Sequence, residues 1–143
     1  MKILYGILIV LASFIICIIL YFVYIIHELQ PDVNVVEIRS ERFNESIYIK
    51  KTAWGISADH QFFSISNSSS DKFEQDTIKD YIFYGDLFLY NFTNDTLFVY
   101  VNKESVLPKE FRSNINIKQI ELTNPEMMDL WIYYDAKGLK KLK

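Results

Sequence analysis

The stretch Tyr81–Val101, YIFYGDLFLYNFTNDTLFVYV, decides the fold. Aromatic and aliphatic residues alternate within it, about Gly85-Asp86 and about the polar run Thr93-Asn94-Asp95-Thr96. Alternation with a period of two belongs to a pleated strand, not to a helix. A two-residue turn at Gly85 and Asp86 sets Phe83 opposite Phe88, Tyr81 opposite Tyr90 and Ile82 opposite Leu89. An odd-length loop after Phe92 then sets Tyr90 opposite Phe98 and Phe88 opposite Tyr100. Only an odd loop keeps both faces consistent across three strands. The expectation is a meander with an aromatic face (Tyr81, Phe83, Phe88, Tyr90, Phe98, Tyr100) and an aliphatic face (Ile82, Leu87, Leu89, Val99, Val101). Both faces are apolar, so each needs a cover or a partner.

Outward from this core the same texture continues. Short runs rich in Ile, Val, Phe and Tyr recur at Val35–Ile38, Ser46–Lys50, Gln61–Ser66, Ile78–Tyr84, Leu87–Phe92, Leu97–Asn102 and Ile115–Leu122, with polar clusters between them. About seven short strands with turn signals between them predict a mainly β domain, an antiparallel meander or sandwich. The carboxyl end reads differently. Asn124 suits an N-cap, Pro125 the first helical position and Glu126 the positive end of the dipole. Met127, Leu130, Trp131 and Tyr134 then recur at helical spacing, which predicts an α-helix over 125–137 with Gly138 as its stop. That helix is the natural cover for one face of the meander.

Ile3 to Ile26 is an uninterrupted run of 24 residues without a charge. At 1.5 Å per residue it reaches roughly 36 Å, enough to cross a hydrocarbon core of about 30 Å. A cleaved signal has a shorter apolar core and a small-residue cleavage site, and neither is present. The run is expected to be an uncleaved N-terminal transmembrane helix, residues 1–26, embedded in a lipid bilayer. A juxtamembrane linker at 27–34 follows, ended as a helix by Pro31, and then the domain at 35–143. Positive charge near the first end (Lys2 and the amino terminus) predicts a single-pass topology with the amino terminus in the cytoplasm and the domain outside.

Composition narrows the chemistry. Beyond the anchor, fourteen Lys and Arg face eighteen Asp and Glu with no basic block, so nucleic acid is not an expected partner. The one cysteine, Cys17, lies in the anchor, so the domain is expected to fold without a disulfide. With one histidine beyond the linker and no cysteine there is no zinc-type spacing. Gly6, Gly55, Gly85 and Gly138 stand apart, so no phosphate-binding loop exists. Asp59-His60 is the only pairing that hints at acid–base work, and without a nucleophile beside it a strand–turn–strand connection from Trp54 to Gln61 explains it better. No catalytic residue, metal or cofactor is assigned.

Three segments also carry a resemblance: Trp54-Gly55-Ile56-Ser57-Ala58-Asp59-His60, Phe63-Ser64-Ile65-Ser66-Asn67, and Asp95-Thr96-Leu97-Phe98-Val99-Tyr100-Val101. The chain resembles, over residues 46 to 143, small uncharacterised bacterial proteins that pair one amino-terminal anchor with a β domain. The resemblance implies an envelope-facing protein of the bacterial cytoplasmic membrane and assigns no functional residues. The functional expectation is a non-enzymatic protein that binds a protein partner in the envelope, for instance in the manner of an immunity protein that neutralises a toxin. Its expected site is the aromatic face (Tyr81, Phe83, Phe88, Tyr90, Phe98, Tyr100) with Trp54 and His60 beside it. The alternative is a small-molecule or glycan-binding module that uses the same rings for stacking.

Overall fold

A computed structural model describes residues 2–28, 30–55 and 60–142. The elements are α1 (Lys2–Glu28), β1 (Asp32–Ser40), β2 (Glu45–Trp54), β3 (His60–Ser66) and β4 (Tyr81–Tyr84). They continue with β5 (Leu89–Thr93), β6 (Thr96–Val101), β7 (Asn116–Glu121), α2 (Asn124–Ile132) and β8 (Lys140–Lys141). Within α1, Tyr5–Ile26 is long and apolar enough to cross a membrane, and among the described residues its side chains are not buried. The link to the domain is shorter than the sequence suggests, because the helix runs to Glu28 and β1 already begins at Asp32.

The seven expected strands are all present, with β8 added, and they form two sheets. The first has the order β1-β2-β3-β4 and is antiparallel throughout. The second has the order β7-β6-β5-β8, with β7 running parallel to β6. The interior lies between them. Ile38, Ile47, Ile49, Phe63, Ile65, Tyr81 and Phe83 from the first sheet meet Tyr90, Leu97, Val99 and Val101 from the second and Phe88, which leads into β5. On the outer face of the second sheet, α2 and the chain after it cover Leu89 with Met127 and Leu139, flanked by Tyr100, Leu130, Trp131 and Tyr134. The helix does cover one face, as the sequence suggests. It is shorter than 125–137, and its N-cap is Thr123, whose N–H and hydroxyl both donate to the Glu126 carboxylate (2.9 and 2.6 Å).

Two expectations about the meander fail, and for connected reasons. The first is the β4–β5 hairpin. Phe83 pairs with Phe63 and Tyr81 with Ile65 in β3, while β5 belongs to the other sheet. Gly85, at φ +125°, turns the chain out of one sheet and into the next. A hairpin would leave four aromatic rings side by side on one face. Folding the ribbon at 85–88 closes them onto each other. Phe63 and Phe88 then stack across the interior at 4.8 Å between ring centroids, and Phe83 meets the edge of Phe88 at 5.5 Å. Offset and edge-on aromatic pairs gain energy beyond the area they bury.

The second failure is the register of β5 and β6. They join through a two-residue turn, Asn94 and Asp95, both left-handed at φ 49° and 57°. Tyr90 therefore faces Val99 and Asn91 faces Phe98, one residue away from the expected pairing. With β4 paired elsewhere, the three-strand consistency that required an odd loop no longer applies. A turn of this hand matches the twist of the flanking strands, and Asn and Asp tolerate it. The turn is fastened to the first sheet, since the Ser40 hydroxyl donates to the Asp95 carboxylate and Arg42 lies 3.9 Å from it.

The parallel strand needs a crossover, supplied by residues 102–115. This segment runs along the open side of β4, where the Ser105 hydroxyl accepts the Ile82 N–H (2.9 Å) and Glu110 N–H donates to the Ile78 carbonyl (2.9 Å). At its end, Asn114 donates to Glu45 from both its backbone and side chain. Hydrogen bonds from Ser113 and Asn114 hold the Glu45 carboxyl below its ordinary range.

Phe88 is 1% exposed, whereas Tyr84, four residues earlier, is 65% exposed. In the full chain in detergent micelles, Phe88→Ala is expected to lower the urea unfolding free energy by about 3–5 kcal/mol. Tyr84→Ala should shift it by less than about 0.5 kcal/mol. Equal, small effects would place Phe88 on the surface instead.

Candidate functional site

The fold scatters the residues that the sequence groups together. Tyr81, Phe83, Phe88 and Tyr90 are interior side chains. They build the sandwich core and offer no docking surface, because the change of sheet at Gly85 turns their common face inward. Phe98 and Tyr100 lie on the opposite face of the second sheet. Tyr100 joins the cluster under α2, and Lys118 Nζ sits 5.8 Å from the centre of the Phe98 ring. Trp54 and His60 end up apart from all of these. They stack on each other at 5.7 Å, with 28° between their planes, where β2 ends and β3 begins. Asp59 lies outside the described residues.

A different site emerges at the open edge of the first sheet, beside β4. The β3–β4 connection, residues 67–80, folds back over the outer face of that sheet. The Phe73 ring meets Trp54 at 5.8 Å and Phe62 at 6.1 Å. Lys50, Thr52, Ser64, Ser66 and Asp80 are all buried polar side chains of this region. Burial pushes the Asp80 carboxyl above its ordinary range, and a hydrogen bond from Ser66 with the nearby Lys50 charge offsets part of that cost. Taking a carboxylate out of water disfavours its charged form, whereas a donor or a cation favours it.

Asp80 forms part of the floor of a groove of about 460 Å³. Thr77, Ile82 and Tyr84 line one side, and Lys103, Glu104, Ser105 and Val106 line the other. The second wall is fixed by β7: Ser105 N–H donates to Gln119 Oε1 (2.7 Å), and Gln119 Nε2 donates to the Ser105 carbonyl (2.9 Å). That two-point clamp holds an irregular segment in one place against the sheet edge. Gln75 Nε2 donates to the Tyr84 hydroxyl at the mouth. Of the lining residues, Tyr84 and Val106 are exposed, Val106 at 86%, and so are Ile78 and Leu107, which follow Thr77 and Val106 in the chain. Sequence reasoning missed the groove, whose second wall, residues 103–106, comes from a segment without periodicity. Val106-Leu107-Pro108, an apolar pair in a polar loop, was the available signal.

Among the described residues no cluster of three or more His, Cys, Asp or Glu side chains is placed to hold a metal ion. No family model matches the sequence, and no curated protein or solved structure matches it.

The Asp80 carboxyl keeps its proton to higher pH in the folded chain than in the unfolded one. Its ionisation therefore costs stability as pH rises from the ordinary carboxylate range through the raised value. Asp80→Asn escapes that cost. The melting temperature of Asp80→Asn minus that of the wild type is expected to increase between acid and neutral pH. A difference constant with pH would show that Asp80 carries no burial penalty.

Proposed function

We propose that this chain is a single-pass protein of the bacterial cytoplasmic membrane, with its amino terminus in the cytoplasm and its β domain outside. The domain performs no catalysis and binds another protein at the membrane surface. The observation that carries the reading is the groove beside β4, lined by the exposed Tyr84 and Val106, with exposed Ile78 and Leu107 next in sequence to its lining residues Thr77 and Val106. Exposed apolar side chains gathered at a groove and rimmed by polar residues are the kind of surface that proteins use for interaction. Lys103 and Glu104 supply such a rim. The helix Tyr5–Ile26 and the positive charge at its first end support the location and the topology.

The groove favours one further reading. Its volume falls in the range of small-molecule sites, and Asp80 is a polar group that could orient a ligand. None of the rings expected to stack on a glycan lines it: Tyr81, Phe83, Phe88 and Tyr90 are in the core, and Phe98 and Tyr100 lie on the far face of the second sheet, which leaves Tyr84 as the aromatic side chain of the groove.

The two readings separate in a crosslinking experiment. A photoreactive side chain at Val106 is expected to give one discrete protein adduct in native membranes, and the same group at exposed Lys118 none. Leu107→Asp should abolish the adduct while leaving the melting temperature within a degree or two, as exposed substitutions do. The same adducts from both positions, or none, would contradict the protein-partner reading.

A further inference from the structure

Trp54, His60 and Phe73 form an exposed aromatic rim that the groove does not use. His60 and Phe73 are exposed and Trp54 is half-buried between them. Strand register gives this rim a position. Asp32, the first residue of β1, pairs with Ala53, so Trp54 follows one residue later on the neighbouring strand, and His60 lies opposite it on the next. Adjacent strands are about 4.8 Å apart. From Glu28, the last residue of α1, to Asp32 there are four residue steps, which reach at most about 14 Å when fully extended. The end of the sandwich that carries Trp54 is thus tied directly to the exit of the apolar helix. The opposite end, with Ser40 and Asp95, lies a full nine-residue strand farther away.

We propose that the rim of Trp54, His60 and Phe73 rests on the headgroup region of the bilayer that holds α1. This rests on reading α1 as a membrane anchor. The indole and imidazole rings each join an apolar body to a polar edge, which suits the boundary between lipid chains and water. Stacking of His60 on Trp54, with Phe73 against the other flank, keeps the rings together at that boundary. The contact makes a second attachment beside the tether and sets the orientation of the domain. Its strands rise from the surface, and the groove beside β4 opens sideways along the membrane, toward a partner in the same plane.

Tryptophan fluorescence tests this on the full chain. The sequence has two tryptophans, so Trp131→Phe leaves Trp54 as the sole probe. The protein is reconstituted in phosphatidylcholine–phosphatidylglycerol vesicles, either plain or brominated on the acyl chains close to the headgroups. Trp54 emission is expected to fall about twofold in the brominated vesicles, to be blue-shifted, and to resist quenching by aqueous iodide. Equal emission in the two vesicles, with free access of iodide, overturns the proposal. Should Trp131→Phe fail to fold, the difference between the wild type and Trp54→Phe isolates the same signal. Flotation after alkaline carbonate treatment keeps the two readings apart. A chain that leaves the vesicles overturns the anchor, whereas a chain that floats with Trp54 unquenched overturns only the docking.

Discussion

The stacked pair of Phe63 and Phe88 joins the two sheets of the domain, and most other features follow from how the chain brings those rings together. Phe63 comes from the third strand of one sheet. Phe88 enters from the other sheet just after the chain has changed direction at Gly85. Once the rings meet, Tyr81, Phe83 and Tyr90 are enclosed with them, and burial pushes the Tyr81 and Tyr90 hydroxyls above their ordinary range. Four of the six rings that look like a binding face along the sequence, Tyr81, Phe83, Phe88 and Tyr90, are consumed in joining one sheet to the other.

That arrangement leaves two exposed features on which the proposals rest. One is an edge. Closing the sandwich exposes β4 as the last strand of its sheet, and the crossover to β7 covers it only in part, leaving the groove above Asp80. The other is an end, where Trp54 and His60 stack beside the strand that emerges from α1. If the proposed contact of Trp54, His60 and Phe73 with the bilayer holds, it orients the domain and so sets what its edge can reach.

Much of this was readable from the residues. Strands β1 to β7 follow from alternation and β-branched or aromatic content, the helix from Pro125, Glu126 and the stripe through Met127 and Leu130, and the apolar segment from its length alone, whereas β8 in the basic tail carries no such signal. Three features resisted, each for a physical reason. The change of sheet at Gly85-Asp86 resisted because a two-residue hairpin and a step between sheets use the same residues, and only contacts remote in sequence, Phe63 with Phe83 and Phe88, choose between them. The even turn at Asn94-Asp95 was excluded by an argument that assumed β4 and β5 were neighbours. The groove could not be found because its second wall depends on Gln119 holding Ser105, a pairing of irregular backbone with a distant strand. Apolar patterning identifies the strands, but it does not say which sheet each one joins.

Backbone nuclear Overhauser contacts in the full chain in micelles test the sheet assignment most directly. Cross-strand contacts are expected between Ile65 and Tyr81 and between Tyr90 and Val99. A backbone contact between Tyr81 and Tyr90 would instead mean that β4 and β5 form a hairpin within one sheet. The rings would then lie on a face of that sheet, and the account of a closed aromatic interior would be wrong.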